Sequence, residues 1–263
     1  MNYVVESYEN YREEDRLTTN NARKVEFLTT VRAFGKNFPM KAKILDCAAG
    51  TGIYSFYLAE KGYDVTATDI TPRHITYINN ELQNKPYKMK TAVLDAMDLS
   101  IFENETFDIV LNMGPFYHLI DIEKRDKCMK ECLRVLKKGG LVATSYICRY
   151  SAFPYVAVQD SKYLNENLAK QLFETGILKY DDPNCFWTDT YYSTPDEIEK
   201  YFCEKSIEVV DHFAQDGISP LIKNAVDNWN ETQFKTWCDY HYLSCREKSI
   251  IGASSHGMII GRK

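Results

Sequence analysis

The sequence lacks several features that mark secreted, membrane-spanning or metal-binding chains. Its eight cysteines form no CxxC pair, so no zinc or redox motif of that spacing is present. No apolar run approaches the roughly 18 residues that a membrane span needs, and there is no internal repeat. The first residues lack the charged and then apolar order of a signal peptide. Scattered thiols without a framework fit a reducing compartment, so we expect a cytoplasmic protein without a membrane partner.

Basic residues are fewer than acidic ones: the chain has 32 Lys and Arg and 37 Asp and Glu, which gives a net charge of −5. Binding to nucleic-acid phosphates requires clustered Lys and Arg, so we expect no nucleic-acid partner. Cys128 and Cys132 lie one helical turn apart and are interpreted as neighbours on a helix face, so no metal site is predicted. Hydrophobic residues make up 44% of the 263 residues, which suits one large domain with a buried core.

What the sequence does contain is concentrated in residues 44–53, which read ILDCAAGTGI. An apolar strand ends in Asp46, and a turn of small residues then opens a helix whose first N–H groups are free to meet a ligand. Gly50 and Gly52 allow positive φ and a close approach of the backbone. Asp46 would repel a pyrophosphate, whereas it suits a positively charged ligand such as a sulfonium or an α-amino group.

Short apolar segments alternate with helical patterns along most of the chain. Helix spacing and capping signals predict helices near residues 21–35, 53–61, 121–136 and 221–242, with further helices starting at Thr71 and Thr194. Strands are predicted at residues 44–46, 65–68, 92–94, 107–111, 141–147, 207–213 and 257–260. Such alternation predicts a mostly parallel sheet, on which ligands bind at the carboxyl ends of the strands.

The chain is predicted to form a single domain over residues 1–263. Residues 1–38 hold an N-terminal arm and a helix, and residues 40–150 form the core with the strand-end acids. Residues 151–193, which are rich in aromatics and show no clean strand, and residues 219–250 are interpreted as insertions that cap the strand ends. Residues 194–218 and 251–263 return to the core. The polar segment from Tyr8 to Arg16 is either a loose arm or a flap over a site.

Five motifs follow one another between residues 45 and 140. Residues 45–52 form a glycine-rich turn with Ala48 at its first glycine position, and Asp69 and Asp95 follow the second and third strands. Residues 107–112 and 133–140 supply a fourth-strand motif and a link to the fifth strand. Together they resemble the class I S-adenosylmethionine-dependent methyltransferases. Residues 114–119, which read GPFYHL, and residues 14–17 resemble a bacterial subgroup that acts on small molecules.

The resemblance implies an α/β Rossmann-like sheet of seven strands, mostly parallel with an antiparallel last strand, and helical cap insertions. It implies S-adenosylmethionine as the cofactor, with Asp69 accepting from the ribose hydroxyls and Asp95 from the adenine amino group. Asp46 and Asn112 would lie near the methionine end. The other expected cofactor contacts are Ala48, Gly50, Gly52, Ile70, Ala96 and Met97.

Each of these polar residues also has an interpretation that needs no ligand. Asp69 could cap the following helix, Asp95 could be a solvated loop acid, and Asn112 could be a turn residue.

The arm and a histidine complete the predicted site. Tyr11, Arg16 and Arg23 are candidates for binding the cofactor carboxylate, since an Arg–carboxylate fork would latch the arm down; a solvated charged arm is the alternative. His118, just past the fourth strand, is the candidate general base, although a histidine between aromatics is often structural. Weaker candidates for the general base are His74, His212, His241 and His256.

The expected activity is transfer of a methyl group to a small-molecule acceptor by in-line displacement. Aromatic side chains of the second half would line an acceptor pocket or form the core of the cap. Rival interpretations are an NAD(P)-dependent oxidoreductase, an RNA or protein methyltransferase, and a module that only senses the cofactor. Asp46 beside the loop and Ala48 in place of glycine argue against the oxidoreductase. The sequence leaves the identity of the acceptor atom open.

Overall fold

The computed structural model, which describes residues 3–263, is organised around a mixed sheet of nine strands. The strands are β1 Lys43–Asp46, β2 Asp64–Asp69, β3 Lys90–Val93, β4 Phe107–Asn112, β5 Leu136–Cys148, β6 Ile177–Leu178, β7 Thr190–Ser193, β8 Glu208–Ala214 and β9 His256–Arg262.

Seven of these strands form the main sheet in the order β3-β2-β1-β4-β5-β9-β8. The first five are parallel neighbours, while β9 pairs antiparallel with β5 and β8 pairs antiparallel with β9. The predicted sheet, mostly parallel with an antiparallel last strand, is confirmed. Parallel strands end at one edge, so the acids that follow them are brought together there.

The expectation that residues 151–193 contain no strand is wrong. Strands β6 and β7 form an antiparallel hairpin, and β7 pairs in parallel with Ile147 and Cys148 at the end of β5. Strand β4 reaches only as far as Thr144 on β5, so the hairpin extends the sheet beyond the end of β4. Strands of two and four residues carry too little alternation to be recognised from sequence.

Helices occur between the strands and within the second half of the chain. They are α1 Tyr3–Asn10, α2 Asn21–Asn37, α3 Ile53–Glu60, α4 Pro72–Leu82, α5 Pro115–His118, α6 Ile122–Val135, α7 Arg149–Gln159, α8 Glu166–Glu174, α9 Pro195–Glu204, α10 Lys223–Asn228, α11 Glu231–Ser244 and α12 Lys248–Ala253. None of the helices within residues 3–263 combines the length and the hydrophobicity that crossing a bilayer requires.

Two sequence signals for helices had different outcomes. The capping box predicted at Thr194 is present, because the Thr194 hydroxyl accepts from Glu197 N and the Glu197 carboxylate accepts from Thr194 N. The continuous helix predicted over 221–242 is wrong. Trp229 is extended with ψ 141° and Asn230 caps α11 by accepting from Gln233 N, so the segment divides into α10 and α11.

The core lies around the central strands, and the cap has a small core of its own. Ile44, Leu45, Ile109 and Val142 are fully buried, as expected for parallel strands covered on both faces. A separate cluster joins α7, α8 and the β6–β7 hairpin through Ala152, Val156, Leu168, Leu172, Leu178 and Tyr192. The cap therefore packs as a unit beside the strand ends.

The arm is folded against the sheet edge rather than loose. Arg73 in the first turn of α4 donates from Nη1 to the carbonyl oxygens of Tyr8 and Tyr11, and it forms an ion pair with Glu14. The Tyr3 ring stacks on Tyr180 of the cap with ring centroids 4.4 Å apart. The first two residues of the predicted arm lie outside the described part of the chain.

Substituting Gly257 tests how closely β5 and β9 approach. Gly257 lies opposite the buried Tyr146, and an added Cβ would overlap the Tyr146 ring and hydroxyl. We expect Gly257→Ala to lower the free energy of unfolding by about 1–3 kcal/mol, since a packed core resists added volume. Urea denaturation measures this. The control is Gly252→Ala in α12, where nothing lies within 4 Å of an added Cβ; it should be neutral or stabilising by up to about 1 kcal/mol. Equal destabilisation by both variants would contradict the packing argument.

Candidate functional site

A cavity of about 870 Å³ lies over the carboxyl ends of the strands. The glycine-rich loop, the arm, α5 and the cap all contribute to its wall. Twelve of the residues predicted for the site line it: Tyr11, Arg16, Arg23, Asp46, Ala48, Gly50, Asp69, Ile70, Asp95, Ala96, Met97 and His118. The arm, which is distant in sequence from most of these residues, is thus brought to the same place.

Gly52 and Asn112, which were also predicted as cofactor contacts, lie outside the set of residues that line the cavity. Gly52 is the N-cap of α3 with φ +85°, and an added Cβ there would meet Ile78 at 3.0 Å. Asn112 is 1% exposed, and its Oδ1 is 3.9 Å from Sγ of Cys128 on α6. Side chains alternate along a strand, so the last residue of β4 faces the helix layer. These two residues shape the wall without reaching the cavity.

Asp69 ties together the two turns that border the cavity. Its Oδ2 accepts from Gly50 N and its Oδ1 from Thr71 N, each at 2.8 Å. This holds the glycine-rich loop, in which Gly50 has φ +55°, at a fixed distance from the start of α4. A carboxylate oxygen accepts more than one hydrogen bond, so both oxygens can still accept from a ligand. Asp95 also keeps acceptor capacity for a ligand, because the only hydrogen bond of its carboxylate within the described residues is the one that Oδ1 accepts from Met97 N at 2.8 Å.

Asp46 is a buried acid poised to ionise near neutral pH. It is 3% exposed, and Ser55 Oγ donates to its Oδ2 at 2.8 Å. Burial, reinforced by the negative charge of Asp69, raises the pKa of Asp46 to about 7, although the Ser55 hydrogen bond opposes the shift. A cation bound in the cavity would favour the ionised form.

Two buried polar side chains on the cavity wall lack partners. His74, in the first turn of α4, is 2% exposed and has no hydrogen-bond partner for either ring nitrogen within residues 3–263. Its Nδ1 lies 3.2 Å from Asp69 Oδ1, outside hydrogen-bond geometry. In the same part of the chain, the hydroxyl of Tyr54 on α3 is also unpaired, and Tyr54 is 7% exposed. Unpaired buried groups are costly, so both positions suit a ligand.

Tyr54 lies in no sequence motif, and the sequence made His74 only a weak candidate. The usable signal for His74 was the predicted helix start at Thr71, because the first turn of a helix that follows a strand-end acid lies beside that acid.

Arg16 already has carboxylate partners. Its Nη1 and Nη2 donate to the two oxygens of Glu26 at 2.9 Å, and its Nε donates to Glu13 at 2.9 Å. The predicted fork for a cofactor carboxylate is therefore engaged within the protein. Arg23 makes no ion pair within the described residues; its Nη1 donates to the Tyr11 hydroxyl at 3.3 Å and to the Arg16 carbonyl oxygen at 3.4 Å. Arg23 thus retains free donors for a carboxylate.

His118 is buried with both ring nitrogens occupied. Its Nδ1 lies 3.0 Å from the carbonyl oxygen of Asp189, which can only accept, so Nδ1 carries the proton. The Tyr8 hydroxyl then donates to Nε2 at 3.0 Å. Burial lowers the pKa of His118 to about 4. This geometry favours the structural alternative, in which His118 positions Tyr8.

Aromatic rings from the arm and the cap meet over the cavity. The ring centroid of Trp187 is 5.3 Å from that of Tyr8 and 5.2 Å from that of Tyr11. Four aromatic side chains of the cap line the cavity: Tyr155, Phe186, Trp187 and Tyr192. Three of these, Tyr155, Phe186 and Tyr192, also belong to the cap core, so both predicted roles occur together.

A charged cluster that the sequence did not predict forms another part of the wall. Glu26 on α2, Asp216 just after β8 and His256 at the start of β9 offer ligand atoms that lie within 4.8 Å of one another. His256 Nδ1 is 2.8 Å from Asp216 Oδ2 and 3.5 Å from Glu26 Oε2. The cluster has the donor types of a metal site, although Arg16 engages both oxygens of Glu26. Its members are far apart in the chain and carry no local motif.

Comparisons with known sequences give a consistent result. Residues 44–140 match the family described as "Methyltransferase domain". A glycine/sarcosine N-methyltransferase from Parasynechococcus marenigrum is 32% identical over 100 residues, 38% of this chain and 36% of that protein. A ubiquinone biosynthesis O-methyltransferase from Rhizobium leguminosarum bv. trifolii is 26% identical over 64% of this chain and 60% of its own length. The chain thus spans little more than a third of the first relative's length.

A solved structure extends the likeness over most of the fold. An S-adenosylmethionine-dependent methyltransferase from Methanosarcina mazei superposes with a TM-score of 0.60 at 21% identity, covering 88% of this chain and 96% of that one. At this identity the likeness shows the fold alone.

The environment of His118 gives a testable pH dependence. Its pKa in the folded protein is about 4, below the ordinary value of 6.5, so the unfolded chain binds the proton more readily. Stability is therefore lost as pH falls from about 6.5 towards 4. We expect His118→Gln to make that loss shallower in urea denaturation at pH 7, 6 and 5. NMR titration of the imidazole should give an apparent pKa near 4 in the wild type and a higher value in Tyr8→Phe. A wild-type titration near 6.5 would contradict this environment.

Proposed function

Because residues 44–140 match the methyltransferase-domain family, we propose that the chain transfers a methyl group from S-adenosylmethionine to a small-molecule acceptor. The observation that carries the proposal is the row of acids Asp46, Asp69 and Asp95, which lie at the carboxyl ends of β1, β2 and β3 and line a single cavity. Carboxylates in this order match the charge and hydrogen-bond donors of a nucleoside sulfonium. The named relatives act on small molecules, as an N-methyltransferase and an O-methyltransferase.

The residues present suit this cofactor. The cavity volume of about 870 Å³ falls in the range of small-molecule sites. Asp69 and Asp95 keep acceptor capacity for ribose hydroxyls and an adenine amino group, and the unpaired ring nitrogens of His74 lie beside Asp69. Arg23 and Tyr11 would hold the carboxylate at the other end. Asp46 would stabilise the positive charge.

The cofactor supplies an electrophilic methyl group on a sulfonium, so the protein's task is alignment and exclusion of water. Tyr8, Tyr11 and Trp187 cover the cavity from above, and the Tyr8 hydroxyl is fixed by His118. Asp69 holds the glycine-rich loop in place. In this proposal the arm is the cover that encloses the reactants, and Arg73 ties it to α4.

Rival functions fit the cavity less well. Eight carboxylates and three Lys or Arg side chains line it, so phosphate groups of RNA or of a dinucleotide would be repelled. This charge balance supports a small-molecule acceptor and speaks against a nucleic-acid partner. The cysteines of the described chain are free, in keeping with the proposed cytoplasmic location.

The cofactor site is tested by removing Asp69. Asp69→Ala should weaken binding of S-adenosylmethionine by about tenfold or more, about 1.4 kcal/mol or greater, because the anchor of the loop and the acceptor are lost together. Isothermal titration calorimetry measures the affinity. Asp98→Ala is the matched control, since Asp98 is an exposed acid outside the cavity, and it should bind as the wild type does. Equal binding by Asp69→Ala, or binding of NADH instead, would refute the assignment.

The ionisation of Asp46 predicts a pH effect that depends on ligand charge. Since its pKa is about 7, the carboxyl is mostly neutral at pH 6 and mostly charged at pH 8. S-adenosylhomocysteine serves as the comparison because its sulfur is uncharged. We expect the ratio of the affinity for S-adenosylmethionine to that for S-adenosylhomocysteine to rise by about three- to tenfold between pH 6 and pH 8. Calorimetry with both ligands measures the ratio. Asp46→Asn should make the ratio flat, and parallel pH dependence of the two ligands in the wild type would exclude this role.

A further inference from the structure

The charged cluster of Glu26, Asp216 and His256 lies towards the opposite end of the sheet from the predicted adenine site. Asp95 follows β3, at one edge of the main sheet, whereas Asp216 and His256 adjoin β8 and β9 at the other edge. All these side chains line the same cavity. The cluster therefore lies at the end of the cavity away from the predicted adenine site.

Asp216 is a buried carboxylate that lacks a fixed positive partner. It is 2% exposed, and its Oδ1 accepts from Ser254 Oγ at 2.8 Å and from His256 N at 3.0 Å. Both donors are neutral. A buried carboxylate is costly unless a positive charge accompanies it. The imidazole of His256, at 2.8 Å, supplies that charge only when protonated.

Glu26, unlike Asp216, has a permanent positive partner, because Arg16 donates two hydrogen bonds of 2.9 Å to its carboxylate. The cluster thus has one permanent cation for two carboxylates, and Asp216 meets a positive charge only while His256 is protonated. The unpaired hydroxyl of Tyr54 lines the same cavity and is an independent sign that a polar ligand group is accommodated there. The surrounding wall includes aromatic rings, which also favour cations.

We propose that the methyl acceptor is a small amine, bound as its ammonium form beside Asp216 and His256. This inference rests on the proposed methyltransferase function and specifies its substrate class. The ammonium supplies the positive charge that Asp216 lacks, and Glu26 adds a second, partly neutralised carboxylate. The excess of acidic side chains around the cavity would also draw a cation in.

His256 is oriented to take up the proton that the ammonium must release. A proton on Nδ1 faces Asp216 Oδ2, which leaves Nε2 without a partner among the described residues. The ammonium gives one proton to Nε2, and its nitrogen then forms the bond to the methyl carbon. The carbon–sulfur bond breaks, and sulfur keeps that electron pair. Although burial alone would lower the pKa of His256, Glu26 and Asp216 raise it, and Arg16 opposes them; a more basic imidazole is better matched to an ammonium.

A divalent metal ion is the alternative occupant of the cluster. It would have to displace the Arg16 fork from Glu26 and the His256 proton from Asp216. An ammonium ion requires neither change, so the amine is favoured.

The experiment compares matched ligands on protein saturated with S-adenosylhomocysteine. Calorimetry with 2-phenylethylamine, butylamine and ethanolamine, against 2-phenylethanol, butanol and ethylene glycol, gives the amine preference. At least one amine should bind at least tenfold more tightly than its matched alcohol. Asp216→Asn should remove that preference while leaving S-adenosylhomocysteine affinity within twofold. Asp239→Asn, which removes the same charge from the exposed face of α11, should change neither affinity. Thermal melting checks that the variants are folded.

Turnover assays with methyl-labelled cofactor complete the test. Wild-type protein should label an amine of the panel and no alcohol, and His256→Gln should lower kcat with KM changed less than twofold. If S-adenosylhomocysteine binds but no amine is preferred over its alcohol, the amine proposal fails and the methyltransferase proposal stands. If the cofactor product does not bind at all, both fail. Stoichiometric Mn²⁺ or Zn²⁺ binding that Asp216→Asn abolishes, with turnover lost in EDTA, would overturn the amine proposal in favour of a metal.

Discussion

The site depends on the two hydrogen bonds that Asp69 accepts from Gly50 N and Thr71 N. They join the tip of β2 to the loop after β1 and to the start of α4, so the two turns keep one geometry. Gly50 adopts φ +55° in this arrangement, a conformation that favours glycine. This junction fixes the loop that Asp46 and Asp95 border.

The Arg16–Glu26 pair extends that order to the arm and to the far end of the cavity. Burial opposes ionisation of Glu26, but the Arg16 guanidinium and, in its protonated form, His256 outweigh it, so the pKa of Glu26 is lowered. Arg16 also contacts Glu13, whose side chain lies near Gly50. One guanidinium thereby links the glycine-rich loop, the arm and the charged cluster. The proposed cofactor and acceptor regions are consequently linked by charged side chains, so a change of charge in one region alters the electrostatic potential in the other.

Local patterns predicted more of the cofactor half than of the remainder. Asp46, Asp69 and Asp95 were predicted because each lies at the carboxyl end of an apolar strand, and parallel strands end at one edge. Gly52 and Asn112 were assigned from the same motifs, yet Gly52 packs against Ile78 and the Asn112 side chain faces Cys128, so neither lines the cavity. The β6–β7 hairpin was missed because its pairing depends on an extension of β5 that no local pattern encodes.

The sequence by itself determined the strand and helix alternation, the parallel sheet and the acids at its edge, because these follow from short-range periodicity and composition. Only the tertiary structure decided which donors and acceptors remain free. Arg16 is engaged by Glu26, His118 by Tyr8 and Asp189, and Asp216 meets His256 across adjacent strands. Hydrogen-bond partners from distant parts of the chain compete for each polar group, and burial sets the cost of leaving one unpaired. That competition is resolved by packing, which local sequence does not contain.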